Sequence, residues 1–159
     1  MLAPTSDALV RSNEAEAGTA AASALRTILD LHVAVLAHAD LQGAAAAFVR
    51  ELALRFGYDS VALGFAKGEH VQVLALSGGL PAAAGTPLID RLSAALAEAL
   101  DQRASLLLPE SRVNAHPRIA LAHSRLLEKS GGSVASVPIM AGGVAVGALC
   151  AERHGGAPI

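Results

Sequence analysis

At 159 residues, with 53% hydrophobic and 16% charged side chains, the chain is long enough to bury one core and too apolar for a disordered segment. A net charge of −2, with its twelve Lys and Arg scattered, offers no concentrated basic face, so nucleic acid is not an expected partner. The single Cys150 excludes an internal disulfide and a four-cysteine zinc site, and a lone thiol fits a reducing, cytoplasmic compartment. Much of the apolar content is alanine, with no Trp, one Tyr and three Phe, so closely packed elements around one small cavity are expected.

Residues 1–19 carry Pro4, Ser6, Ser12, Asn13 and Gly18 and read as a flexible tail or linker ahead of a single domain over 20–159. No basic region precedes an apolar stretch there, so no signal peptide is expected. A helical period begins at Ala20, with Leu25, Ile28, Leu29, His32, Val35 and Leu36 on one stripe. Asp40 is a suitable N-cap for a second helix with Leu41, Ala45, Phe48, Leu52 and Phe56 inside, and Gly57 supplies its left-handed stop.

The period changes at Tyr58. Residues 60–65 and 71–76 read as paired strands around a Lys67-Gly68-Glu69 turn. After a loop from Ser77 to Gly85, Thr86 as N-cap and Pro87 as first helical residue open a third helix. A short strand over 104–108 ends at Pro109, a polar loop runs from Glu110 to Pro117, and a fourth helix spans 118–129. The closing hairpin has arms 133–140 and 144–153 around Ala141-Gly142-Gly143.

Both faces of these last arms are apolar or small. Val134, Ser136 and Pro138 alternate with Ala135, Val137 and Ile139; Val144, Val146, Ala148 and Cys150 alternate with Ala145, Gly147 and Leu149. A half-exposed strand would alternate apolar with polar, so cover on both sides is expected. The fold class that follows is α/β of the α+β kind: a three-layer sandwich, its central antiparallel sheet of about five strands carrying the first two helices on one face and the last two on the other. The stretch 133–151 is the most apolar window, but Pro138 and Gly142–Gly143 interrupt it, so no direct membrane insertion is expected.

The element order and the sequence Ser136-Val-Pro-Ile-Met140 followed by Val144-Ala-Val-Gly-Ala-Leu-Cys-Ala-Glu152 resemble the GAF domains, small sensory modules of signalling proteins, over residues 25–153. Within the family, 71–77 and 97–102 look like GAF domains attached to bacterial HlyD-like secretion adaptors, which would imply a membrane-anchored parent protein. The chain stops just after the last strand, where the family usually adds a closing helix. The Asn-Lys-Phe-Asp-Glu signature of cyclic-nucleotide-binding members is absent, and one thiol cannot supply the cysteine set of the methionine-sulfoxide-reducing branch. Cys150 does not match the usual bilin attachment position. The resemblance therefore implies a regulatory, non-enzymatic domain with no cofactor and no catalytic residue.

Polar candidates are few. His32 and His38, six residues apart, point to different sides of one helix, and no pair has the four-residue spacing of helical metal ligands, so no metal site is expected. His123 shares a helical face with Ile119 and Leu126 or Leu127; it reads as a core-edge histidine bonded to backbone, or as a partner of Ser111 and His116 at a pocket mouth. Cys150 reads as a small buried hydrophobe. Ser77-Gly-Gly79 reads as a turn, and no Gly-x-Ser-x-Gly elbow is present.

A small-molecule cavity is expected between the sheet and the segment 108–123. Its candidate lining is Ser77, Leu108, Ser111, Val113, His116, Ile119, His123, Ser136, Pro138, Ala148 and Cys150. A homodimer through the N-terminal helices is the expected assembly. The alternative to ligand sensing is a ligandless dimerisation or docking module.

Overall fold

The computed structural model describes residues 6–79, 85–109, 118–155 and 159, with side chains from residue 18 onward. Its elements run α1 (Ser6–Leu36), α2 (Leu41–Phe56), β1 (Ser60–Lys67), β2 (His70–Leu76), α3 (Pro87–Gln102), β3 (Leu106–Leu108), α4 (Leu121–Ser130), β4 (Ser133–Ala141) and β5 (Val144–Arg153). The strands form one open antiparallel sheet in the order β2-β1-β5-β4-β3. The closing hairpin therefore sits at its centre, as the two apolar faces of its arms require.

Local chemistry sets the helix ends. The Asp40 carboxylate accepts the Gly43 N–H at 2.8 Å, and Gly57 ends α2 at φ 66°. Thr86 Oγ1 accepts the Ile89 N–H at 3.4 Å, with Pro87 in the first turn. The first helix reaches back to Ser6 rather than beginning at Ala20. Ala, Glu and Leu carry its early turns by propensity without extending the apolar stripe, so periodicity alone placed its start too late. The third strand begins at Leu106 because Arg103, at φ 48°, turns the chain out of α3 first. The fourth helix begins at Leu121, and Ala120 at its N-cap makes no side-chain capping bond.

Two cores flank the sheet. Leu92, Ala95 and Leu96 of α3 and Leu126 of α4 pack on Ala62, Val71, Val73, Leu76, Val134, Ala148 and Cys150. On the other face, Ala45 and Val49 of α2 pack on Val61, Leu63 and Ala75, with Phe48, Leu52, Leu149 and Ile139 around them. A bulge where Leu63 and Gly64 meet β2 shifts the alternation, so Val73 and Leu76 face the same side although they stand three positions apart.

Cover on the second face is incomplete. The packing of α1 is against α2, joined by the ion pair Arg55–Asp30 at 3.0 Å, instead of against the sheet. Val137 on β4 is consequently half-exposed at 51%, and Leu25, Leu29, Val33 and Leu36 on α1 are exposed. The expectation of two helices laid on that face is thus corrected: one lies on the sheet and the other on its back. The same helix contains the stretch Gly18–Leu36, 19 residues of mean hydropathy 1.3, long and apolar enough by those measures to cross a membrane. The window 133–151 is instead two strands.

Gly147 shows why the hairpin motif needs its glycine. A Cβ there would stand 2.5 Å from the Gly64 carbonyl oxygen and 2.8 Å from Phe65 Cδ1, at a position where β1 and β5 pair. Gly147→Ala is expected to destabilise the fold by about 1–3 kcal/mol through this overpacking. Thermal unfolding checks it, with Gly78→Ala, where a Cβ meets nothing within 4 Å, expected to leave Tm unchanged.

Candidate functional site

One register row crosses the sheet beneath α3 and α4: Leu76, Ala62, Cys150, Ser136 and Leu106. Strand alternation points all five toward the helices, and all are buried. Four are apolar or nearly so; Ser136 introduces a hydroxyl at 0% exposure, which must find a partner in the helical layer.

That partner is His123 on α4, also at 0% exposure. Its Nε2 lies 2.8 Å from Ser136 Oγ, and its Nδ1 lies 2.7 Å from Glu98 Oε2 on α3. Glu98 also receives the first free backbone amides of α4: Ala122 N–H at 3.2 Å and His123 N–H at 3.1 Å. A carboxylate one helix away thus replaces the local cap that Ala120 cannot provide. One turn further along α3, Gln102 closes a reciprocal pair with Ile119, donating to its carbonyl at 2.6 Å and accepting its N–H at 3.2 Å. Arg118 Nη1 donates to the Ser105 carbonyl at 2.8 Å. The start of α4 is therefore held almost wholly by contacts from distant residues.

Electrostatics fix the direction of the chain. Burial raises the Glu98 carboxyl, but the hydrogen bonds from the His123 ring and from the Ala122 and His123 amides outweigh it, and the net shift is downward from 4.5. An ionised Glu98 can only accept, so it takes the Nδ1–H of His123, and Nε2 is the ring nitrogen that bonds Ser136. Ser136 in turn bonds the Cys150 thiol. Burial pushes that thiol up to about 12, which the Ser136 bond only partly offsets and the Glu152 charge reinforces. Cys150 is therefore a neutral thiol in the core and carries no nucleophilic character.

An acid, a histidine and a serine in hydrogen-bonded series have the connectivity of a hydrolytic triad. Here Ser136 and His123 are sealed at 0% exposure, so no substrate carbonyl reaches the hydroxyl. The arrangement joins α3, α4 and β4 and performs no attack.

Of the expected cavity, the wall over 110–117 lies outside the described residues; the sheet surface beneath it is in view. His123 and Leu126 from α4, with Leu92 and Leu96 from α3, cover the Ser136, Ala148 and Cys150 surface. Leu108 is buried beside Val134 in the register, and Pro138 pairs with Ala148. Ile119 is 71% exposed and faces outward. Ser77 stands apart on the far side of β1, where its Oγ accepts the Val61 N–H at 3.0 Å. Ser111, Val113 and His116 lie outside the described residues. The structure thus joins His123, Ser136 and Cys150, separates Ser77 and Ile119 from them, and adds Glu98 and Gln102. His123 bonds side chains through its ring where a backbone partner was expected. Glu98 could have been suspected as the acidic residue bordering the inner stripe of α3. Among the described residues, no group of three His, Cys, Asp or Glu could hold a metal.

A space of about 430 Å³ does open on the outer side of this junction, between α3 and α4, lined by Ala94, Ala97, Glu98, Asp101, Gln102, Ile119, Leu121, Ala122 and Arg125. Glu98, whose carboxylate begins the buried chain, is among its lining residues.

The GAF domain family model matches residues 40–158. The chain belongs to the GAF family. Such domains are generally regulatory and ligand-binding, are typically not catalytic, and are usually soluble. Solved structures share the fold. The GAF domain of an Acinetobacter phosphoenolpyruvate-protein phosphotransferase superposes with a TM-score of 0.62 at 14% identity, covering 84% of this chain and 78% of that one. The chromophore-binding domain of Stigmatella aurantiaca phytochrome P1 gives 0.55 at 18% identity, covering 86% of this chain and 53% of the other. A free methionine-R-sulfoxide reductase from Neisseria meningitidis gives 0.51 at 18%, covering 77% and 68%. No curated protein matches the sequence significantly.

Two outcomes follow for this GAF domain. A carboxyl with a lowered pKa in the folded state adds stability above its unfolded value near 4.5 that is lost as pH falls through the folded value. Glu98→Gln is therefore expected to cost about 1–3 kcal/mol at pH 7, by weakening three bonds to one acceptor, and to remove that part of the acid-side loss. Denaturant titrations from pH 7 to pH 3 compare the two proteins. Glu152, which burial pushes upward, contributes with the opposite sign equally to both. The Cys150 thiol is expected to react with a thiol-specific reagent only at the rate of unfolding, so stoichiometric labelling within seconds under native conditions would contradict its assignment to the core.

Proposed function

We propose that this domain is a non-enzymatic sensory module that binds a small molecule in the groove between α3 and α4. One observation carries the reading: Glu98, which lines the groove, also secures the first turn of α4 and the buried His123–Ser136 pair. A ligand presenting a cation or hydrogen-bond donor to Glu98 and Asp101, with an apolar body against Ala94, Ala97 and Leu121, would compete for the atoms that hold α4. Binding would then change how firmly α4 is tied to the central strand, and the change would pass through Ser136 to β4. Ligand contact belongs to the outer rim of the junction in this reading, with Ile119 on its wall and His123 relaying from beneath.

Cytoplasmic placement beside a secretion or efflux adaptor belongs to the same proposal. It is supported by the adaptor-like stretches 71–77 and 97–102, the second of which contains Glu98 and Gln102. The apolar outer face of α1 favours a second reading, a ligandless dimerisation or docking module.

The readings separate in a thermal-shift screen of small amines, amino acids and other metabolites. Ligand at 100 times its dissociation constant adds about 2.7 kcal/mol, a rise of roughly 5–10 °C for a domain of this size. Such a rise is expected for wild type and is expected to disappear in Glu98→Gln. A screen in which no compound moves Tm overturns the sensory reading in favour of the ligandless one.

A further inference from the structure

The polar groups that line the groove between α3 and α4 are of two kinds. Glu98 and Gln102 are engaged by the fold: the carboxylate takes the Ala122 and His123 amides and the His123 ring, and the Gln102 amide bonds Ile119 in both directions. Asp101 on α3 and Arg125 on α4 are exposed, and neither makes a hydrogen bond or ion pair with any of the described residues. Stability gives Asp101 no reason to be where it is. It stands in the last turn of α3, where the negative end of the helix dipole disfavours a carboxylate. An acid and a guanidinium thus border one space from its two walls, and neither holds the fold together.

Their spacing follows from the pairing of the helices. Glu98 meets residues 122 and 123 whereas Gln102 meets Ile119, so α3 and α4 run antiparallel. Continued along the groove, that pairing sets Arg125 level with about Ala95, some six residues from Asp101, or roughly 9 Å along the axis. Side chains lean toward the N-terminus of their own helix, so in an antiparallel pair these two lean toward each other, over Ala97 and Leu121. We propose that the groove takes an α-amino acid with an apolar side chain, a choice of ligand that rests on the sensory reading above and narrows it. Its ammonium group pairs with Asp101, its carboxylate with Arg125, and its side chain covers Ala94, Ala97 and Leu121, the last of which is 60% exposed. A simple amine would leave Arg125 unpaired, and a simple carboxylate would leave Asp101 unpaired. A phosphate group would bring more negative charge toward Glu98 and Asp101. The zwitterion is the class that answers both charges at once, and a space of about 430 Å³ admits it.

Calorimetric titration of the full chain with L-valine, L-leucine and L-methionine tests this. At least one is expected to bind, about tenfold more tightly than its own decarboxylated and deaminated analogues, which for leucine are isoamylamine and 4-methylpentanoate. Arg125→Gln is expected to weaken the amino acid by about tenfold and leave the amine unaffected. Asp101→Asn is expected to weaken the amino acid by the same factor and leave the deaminated acid unaffected. Both side chains are exposed and unpaired among the described residues, so the circular dichroism spectra of the two variants are expected to match the wild type. An amine that binds as tightly as its amino acid, with Arg125→Gln without effect, overturns the proposal while a cation site at Glu98 and Asp101 stands. Failure of all three amino acids to bind overturns it as well, and the wider metabolite screen then decides the sensory reading separately.

Discussion

The Glu98 carboxylate is the interaction on which the α3–α4 layer depends. Ala120 offers no side-chain hydrogen bond to the free amides of α4. Without an acceptor from elsewhere, the first turn of that helix would leave donors unsatisfied beside an apolar sheet. Glu98 supplies the acceptor, and because it also bonds Nδ1 of His123, one group fixes both the position of α4 and the orientation of its buried imidazole. The lowered carboxyl pKa is the electrostatic record of those bonds outweighing burial.

What lies beneath explains why the histidine is there. The sheet presents Ser136 in a row otherwise made of Leu76, Ala62, Cys150 and Leu106. A hydroxyl so placed needs a partner, and His123 reaches it from above while Cys150 adjoins it from the side. The result is a polar thread through an apolar layer, running from solvent-facing α3 to the central strand. Threads of this kind are costly when incomplete, which makes them suited to reporting a disturbance at one end.

Much of the fold was legible in the residues. Asp40, Gly57, Thr86 and Pro87 marked helix ends through local capping chemistry, and the two apolar faces of 133–153 marked the sheet centre through strand periodicity. Both signals are short-range, and the structure follows them. What periodicity did not reveal was long-range: that α1 lies on α2 instead of the sheet, because an amphipathic stripe does not say which apolar surface it will cover. The same holds at the site. His123, Ser136 and Cys150 were read as neighbours of one space; the described residues bring them together under α3 and α4, where Leu92, Leu96 and Leu126 pack beside them. Glu98 was not singled out because its function is a contact 24 and 25 residues away, to amides whose exposure depends on where α4 begins.

The most direct measurement is native-state hydrogen exchange at the Ala122 and His123 amides, resolved residue by residue. Amides in the first turn of a helix have no intrahelical acceptor and ordinarily exchange quickly. If Glu98 secures this helix, both are expected to exchange as slowly as the core amides of β5, and to lose most of that protection in Glu98→Gln while β5 keeps its own. Rapid exchange at both amides in the wild-type protein would contradict the anchoring of α4 by Glu98.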